Sequence, residues 1–343
     1  EREVVQDRHA RSYLDLAEAA AEGPSGDRAN EAIAALSNEI HEIRAALVRC
    51  AEGGDRELGQ RLASATWRVW QATDRIGEGR ELLTQLLEAR ATDTGARADA
   101  LVALAGLAYW QADWPAAMAA YEEALEIYRA SGNASGEAEV LYGMSTTATW
   151  NGDPAAGARL ASEARALFEA LGARAQVGET FMAEGFALFQ DEQYAASRPL
   201  WAEAAAISRE LGADSVALTE LAGVACVEYQ AGAFDEATRL ALECLEEACG
   251  LHNAGLCVWM MDFVAAFAVA DRPAVAVRVA GAVDALRAAS GGGMPIETLH
   301  VEPARIAAER LLEPAVLEQA WAEGRAMDLQ VAIEAARSLA PKA

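Results

Sequence analysis

The stretch QADWPAAMAAYEEALEIYRASGN, residues 111–133, sets Trp114, Ala117, Tyr121 and Ala124 at a fixed spacing behind a polar turn. Two adjacent glutamates, a tyrosine and a tryptophan on one helix suit either an active site or one unit of a repeating scaffold. Recurrence of the pattern separates the two. The turn position returns at Ile76, Trp114, Pro154, Tyr194, Phe234 and Pro273, in steps of 38, 40, 40, 40 and 39 residues. Three residues beyond each anchor stands a small residue: Gly79, Ala117, Gly157, Ser197, Ala237 or Ala276. Four further on come Leu83, Tyr121, Ala161, Trp201, Ala241 and Ala280, and three beyond those come Leu86, Ala124, Ala164, Ala204, Cys244 and Val283. Because each copy fills these places with small or apolar side chains, they are packing positions.

The punctuation has the same period. Gly132, Gly172 and Gly212 lie 40 residues apart, with Gly250 close to that phase. Glycine there can adopt positive φ and end a helix at its C′ position. Asp153-Pro154 places an N-cap acceptor before an N1 proline, and Trp114-Pro115 and Arg272-Pro273 resemble it. Strict apolar–polar alternation, the mark of a strand, is missing. The sequence therefore predicts an all-α chain whose helical hairpins stack as a right-handed α-α superhelix with a period of about 40 residues. First helices are expected at 60–73, 98–112, 138–151, 178–191, 218–231 and 257–270, and second helices at 76–91, 115–131, 154–171, 195–211, 235–249 and 274–290. A helical hairpin cap over 1–57, six repeats over 58–290, and a loop with a C-terminal helical cap over 291–343 complete the expected organisation. Such caps cover apolar faces that the end repeats would otherwise expose.

Charge and composition narrow the function classes. The 28 basic residues against 53 acidic ones give a net charge of −25, the wrong sign for direct contact with nucleic acid phosphates. The most apolar run, CVWMMDFVAAFAVA at 257–270, is interrupted by Asp262 and reads as a buried helix; no membrane span is expected. Five cysteines, an odd number without framework spacing, fit a reducing cytoplasm. A start at Glu1 inside helical pattern, with no signal peptide, reads as a segment of a longer protein.

Small-x3-aromatic-x2-Ala in the second helix, after an aromatic turn residue, is the tetratricopeptide (TPR) pattern, here stretched beyond its standard period of about 34. Beyond the repeats, RHARSYLDLAEAA (8–20), LSNEIHEIRAALVRCAEGGDRELGQRLASATWRVWQATDRIGEGRELL (36–83), GAVDALRAASGGGMP and AWAEGRAMDLQVAIEAA (320–336) resemble the C-terminal TPR region of actinobacterial STAND-type regulators. These include LuxR-type and SARP (AfsR-like) transcriptional regulators and related cyclase-linked ATPases. The resemblance implies a regulatory or sensor arm, with the nucleotide-binding and output domains of the same protein lying outside this segment.

No catalytic signature survives inspection, so no enzyme and no cofactor are expected. The phosphate-cradling G-x-x-x-x-G-K-[ST] pattern is absent, and SGGGMP (290–295) lacks its Lys and reads as a flexible link. Cys244, Cys249, His252 and Cys257 cluster within fourteen positions, but without the tight pairs of a structural zinc site. They read as free thiols. The binding surface of a TPR array is the face of its first helices. There the alignment places Tyr109, Trp110, Tyr142, Trp150, Met182, Phe186, Phe189, Tyr229 and Met261, with Asp99, Glu139 and Glu179 at one equivalent position in successive repeats. An aromatic and acidic trough suits a small apolar or cationic molecule, or a protein segment. Docking of partners or of further copies without any small ligand is the competing expectation.

Overall fold

The computed structural model describes residues 10–18, 27–88, 94–290 and 295–341. Among them every regular element is a helix, and the chain divides into two compact units, Glu1–Leu171 and Gly172–Ala343. The first unit holds α1 (10–18), α2 (Asp27–Asn38), α3 (Ile40–Ala51), α4 (Arg56–Ala72), α5 (Ile76–Leu87), α6 (Thr94–Trp110), α7 (Trp114–Ser131), α8 (Ala134–Trp150) and α9 (Pro154–Leu171). The second holds α10 (Arg174–Gln190), α11 (Tyr194–Glu210), α12 (Asp214–Gln230), α13 (Phe234–Gly250), α14 (Ala254–Ala268) and α15 (Pro273–Ser290). It continues through a 3-10 turn (Ile296–Leu299) to α16 (Ala304–Ala308), α17 (Pro314–Arg325) and α18 (Leu329–Arg337). The even-numbered helices from α4 to α14 are the first helices of their hairpins, and the odd-numbered ones from α5 to α15 the second.

One device ends most of these helices. The Schellman hydrogen bond runs from the Asp113 amide to the Ala108 carbonyl, and likewise from Asn133 to Tyr128, Asp153 to Ala148, Gln193 to Leu188, Ala213 to Ser208, Ala233 to Glu228 and Asn253 to Ala248. The left-handed residue it requires falls at Ala112, Gly132, Gly152, Gly172, Glu192, Gly212, Gly232 and His252, every 20 residues, half the sequence period. Gly132, Gly172 and Gly212 act as expected. Gly250 does not: it is the last residue of α13, and His252 takes the left-handed place with φ 55°. Spacing overrides residue preference there, as it does at Ala112 and Glu192.

First helices begin earlier than apolar periodicity indicates: α6 at Thr94, α8 at Ala134, α10 at Arg174 and α12 at Asp214. Their first turns are largely polar and carry little apolar signal. Some are fixed by capping, as where Asn133 accepts from the Gly136 amide and Asn253 from the Leu256 amide. The residues beyond the standard TPR period are thus shared between the two helices of a hairpin, each 17 or 18 residues long from α6 to α13, rather than added to the second helix alone.

The packing positions read from the repeat are buried in every copy. The small residues admit close helix approach. A Cβ at Gly157 would lie 2.1 Å from Thr149 Oγ1, and one at Gly79 would lie 2.8 Å from the Trp70 ring. Trp201, buried at 3% exposure, lies between Gly185 and Gly223, and its Nε1–H donates to the Met182 carbonyl at 3.3 Å. At the C-terminal end, the motifs AWAEGRAMDL and GAVDALRAAS meet. A Cβ at Gly324 of α17 would stand 2.0 Å from the Arg278 carbonyl of α15, and one at Gly281 would stand 2.6 Å from the Trp321 carbonyl. That helix crossing excludes any side chain at its centre. Most of the glycine-rich link expected at 290–295 lies outside the described residues.

Candidate binding site

In the first unit, the first helices α4, α6 and α8 border a cavity of about 410 Å3, with Glu18 of α1 and Tyr128 of α7 also in its wall. It brings together the two equivalent carboxylates Asp99 and Glu139 with the rings of Trp67 and Tyr128. The Tyr128 hydroxyl donates to Asp99 Oδ1 at 2.5 Å. Burial raises the Tyr128 pKa, and the bond to Asp99 raises it further, so the phenol stays a donor. The Glu139 carboxyl is reached by water but stands in a concavity; desolvation raises its pKa, and the Arg68 guanidinium opposes that rise. Trp67 rests on Gly106, where an added Cβ would be 3.2 Å from the indole, and Arg68 lies 5.2 Å over the same ring system. Arg61 is engaged by Glu18 at 2.6 Å. Carboxylates beside aromatic faces attract cations rather than anions.

Two of these helices, α6 and α8, carry the predicted aromatics of this unit, Tyr109, Trp110 and Trp150 at their C-terminal ends and Tyr142 midway along α8. Trp110 is 54% exposed and Trp150 39%. Tyr109 is partly buried, packs edge-on to Trp110 (5.9 Å) and Trp114 (5.2 Å), and hydrogen-bonds with Trp150. Tyr142 is partly buried on α8.

The second unit differs. Phe189 and Met261 are buried at 0% exposure and are core residues, which corrects their expected place on an open surface. Phe189 is enclosed by Tyr194 (5.0 Å), Trp201 (5.2 Å) and His300 (5.1 Å). Tyr229 is stacked on Phe267 at 5.0 Å, and Met182 and Phe186 are partly buried against the same core. Glu179 is exposed on α10.

The covering element is the chain's own segment Ile296–Val301, in which Ile296, Leu299 and Val301 are buried. Gln190 Nε2 donates to the Thr298 carbonyl at 2.8 Å, and Gln230 Nε2 donates to the His300 carbonyl at 2.8 Å. Gln190 and Gln230 occupy the repeat phase that Trp110 and Trp150 occupy in the first unit. Their recurrence 40 residues apart was the available signal, obscured because glutamine carries no apolar periodicity. Trp67 and Tyr128 were likewise missed, Trp67 because its repeat equivalents are not aromatic. A separate cavity of about 680 Å3 in this unit is lined by Tyr194, Arg198 and Glu228, with Arg198 and Glu228 paired at 2.6 Å, and contains none of the expected site residues.

Repeated two-helix hairpins with small residues at their crossings and a cavity on the first helices define an all-α, TPR-like repeat protein. No protein-family model matches the sequence, and no curated protein matches it. Solved structures do. A Signal Transduction ATPase with Numerous Domains (STAND) protein with a tetratricopeptide repeat sensor, from Pyrococcus horikoshii, aligns over 99% of this chain and 55% of its own at 12% identity, with a TM-score of 0.62. A Rap protein complexed with Competence and Sporulation Factor aligns over 98% of this chain and 99% of its own, at 12% identity and a TM-score of 0.58. Aspartyl phosphate phosphatase F from Bacillus subtilis aligns over 96% of each chain, at 11% identity and a TM-score of 0.52. This chain spans about half the length of the STAND protein. Identities this low establish the fold alone. Among the described residues, no helix is long and apolar enough to cross a membrane.

Proposed function

We propose that this chain is the sensor or partner-binding module of a larger signal-transduction protein, of the transcriptional-regulator kind, and that it receives its signal on the first helices of the first unit. The observation that carries the reading is the cavity joining Asp99, Glu139, Trp67 and Tyr128, whose chemistry suits a cationic group on an apolar body, from a small molecule or a protein segment. Two likenesses support it. One neighbour in fold is a STAND protein with a TPR sensor, and another is a Rap protein solved in complex with Competence and Sporulation Factor. Binding would order α4, α6 and α8 together and so bias contact with nucleotide-binding and output domains elsewhere in the protein, a coupling free energy between two sites.

A second reading, a docking scaffold with no small ligand, is favoured by the exposed indoles of Trp110 and Trp150, since exposed aromatics are common anchors of protein interfaces. The test is paired. Asp99→Asn with Glu139→Gln, in the cavity, and separately Trp110→Ala with Trp150→Ala, outside it, are made in the whole regulator, helicity is checked by circular dichroism, and signalling output is measured. Reduced output in a folded variant supports reception of the signal on α6 and α8. Unchanged output in both rejects that face as the sensor.

A further inference from the structure

Cys249, at the end of α13, and Cys257, in the first turn of α14, face each other across the turn that holds left-handed His252, with their sulfurs 3.5 Å apart. Cys249 is partly open to solvent, whereas Cys257 is 3% exposed. A disulfide needs its sulfurs at about 2.05 Å, so contact is already made and only a small side-chain adjustment separates the thiols from bonding distance. Cys244 and Cys226 are buried, and Cys50 lies in the other unit. We propose that Cys249 and Cys257 are a redox-modifiable pair that closes to an intrachain disulfide on reaction with a hydroperoxide. This inference is independent of the ligand assigned to the first unit.

The chemistry divides the roles. The Cys249 thiolate, the more accessible sulfur, attacks one peroxide oxygen; the O–O bond breaks, and the leaving alkoxide takes up a proton to depart as the alcohol. Cys249 is then a sulfenic acid. The Cys257 sulfur attacks it, forming the S–S bond, and the expelled hydroxide leaves as water with the proton that Cys257 gives up. Two thiols are oxidised by two electrons in total, and one peroxide is reduced to alcohol and water. Before the first step, burial and then the neighbouring Cys249 sulfur raise the Cys257 thiol above its ordinary value, which leaves the first attack to the more open Cys249. Conversion of Cys249 to the sulfenic acid removes part of that suppression at the moment Cys257 must act.

The reduced protein is treated with hydrogen peroxide at a few equivalents. Remaining thiols are blocked with iodoacetamide after unfolding, and the tryptic peptide Leu240–Arg278, in which the Arg272–Pro273 bond stays uncut and which carries Cys244, Cys249 and Cys257, is analysed by mass spectrometry. The expected product carries a single carbamidomethyl group, on Cys244, has Cys249 joined to Cys257, is about 2 Da lighter than the same singly alkylated peptide with both thiols free, and takes up two further alkyl groups after dithiothreitol. In Cys257→Ser the reaction stops at a sulfenic acid on Cys249 that dimedone traps. Full alkylation of both cysteines after peroxide, or a sulfinic acid on Cys249 in the wild-type chain, overturns the proposal. The wild-type result decides even if a variant fails to fold.

Discussion

Glu220 gives the most quantitative prediction. It stands on α12 at a repeat position filled elsewhere by Ala100, Val140, Thr180 and Met260, and it is 4% exposed. Its carboxyl is hydrogen-bonded with the Ser208 hydroxyl, Oε2 has no hydrogen-bond partner among the described residues, and the charge of Glu179 lies nearby. Burial, with Glu179 adding to it, pushes this carboxyl from 4.5 up to about 7. The folded state therefore holds a proton that the unfolded state has released between those two values, and stability falls as pH rises through that window. At about 1.4 kcal/mol per pH unit across the window, ionised Glu220 costs the fold about 3 kcal/mol at pH 8 and under about 1 kcal/mol at pH 5. Glu220→Gln keeps the shape of the neutral acid and removes the titration. Urea melts of both proteins at pH 5 and pH 8 should show the variant gaining about 2.5 kcal/mol relative to wild type between the two pH values. A difference that stays constant with pH would refute the reasoning, since any cost of the buried amide itself is the same at both.

Trp201→Ala should cost roughly 3–5 kcal/mol in denaturant melts, because the indole fills the space between Gly185 and Gly223; a loss below about 1 kcal/mol would mean the site collapses around the smaller side chain. Gly324→Ala should destabilise the chain by about 1–3 kcal/mol, since the new methyl group meets the Arg278 carbonyl rather than a side chain able to move. An unchanged denaturation midpoint for Gly324→Ala would show that α15 and α17 cross less tightly than described.

The fold was legible because its signal is repetition. Small residues at Ala117, Ser197 and Ala237 and apolar ones at Tyr121 and Trp201 are buried where the period puts them. Helix starts were not legible to the same degree, because the first turns of α10 and α12 are capped by neither Ser, Thr, Asp nor Asn; Ala173 and Ala213 occupy those places. Left-handed Ala112, Glu192 and His252 could be found only from the 20-residue spacing. For the site, repeat phase correctly grouped Asp99 with Glu139, yet it could not show that Ile296–Val301 returns onto the second unit across 108 residues of sequence to Gln190. Phase gives a helix face; it carries no information about a distant segment that covers it. That is why Phe189 reads as surface in the sequence and lies in the core.

The measurement that bears most directly on the proposed site is a nuclear magnetic resonance titration of the chain with arginine amide and with tetramethylammonium, acetate serving as the control anion. Saturable shifts of the Trp67 indole and Tyr128 ring signals with both cations, none with acetate, and their loss in a folded Asp99→Asn, Glu139→Gln double variant are the expected result. Shifts that do not saturate, or that persist unchanged in the double variant, would contradict the assignment of this cavity as the receiving site.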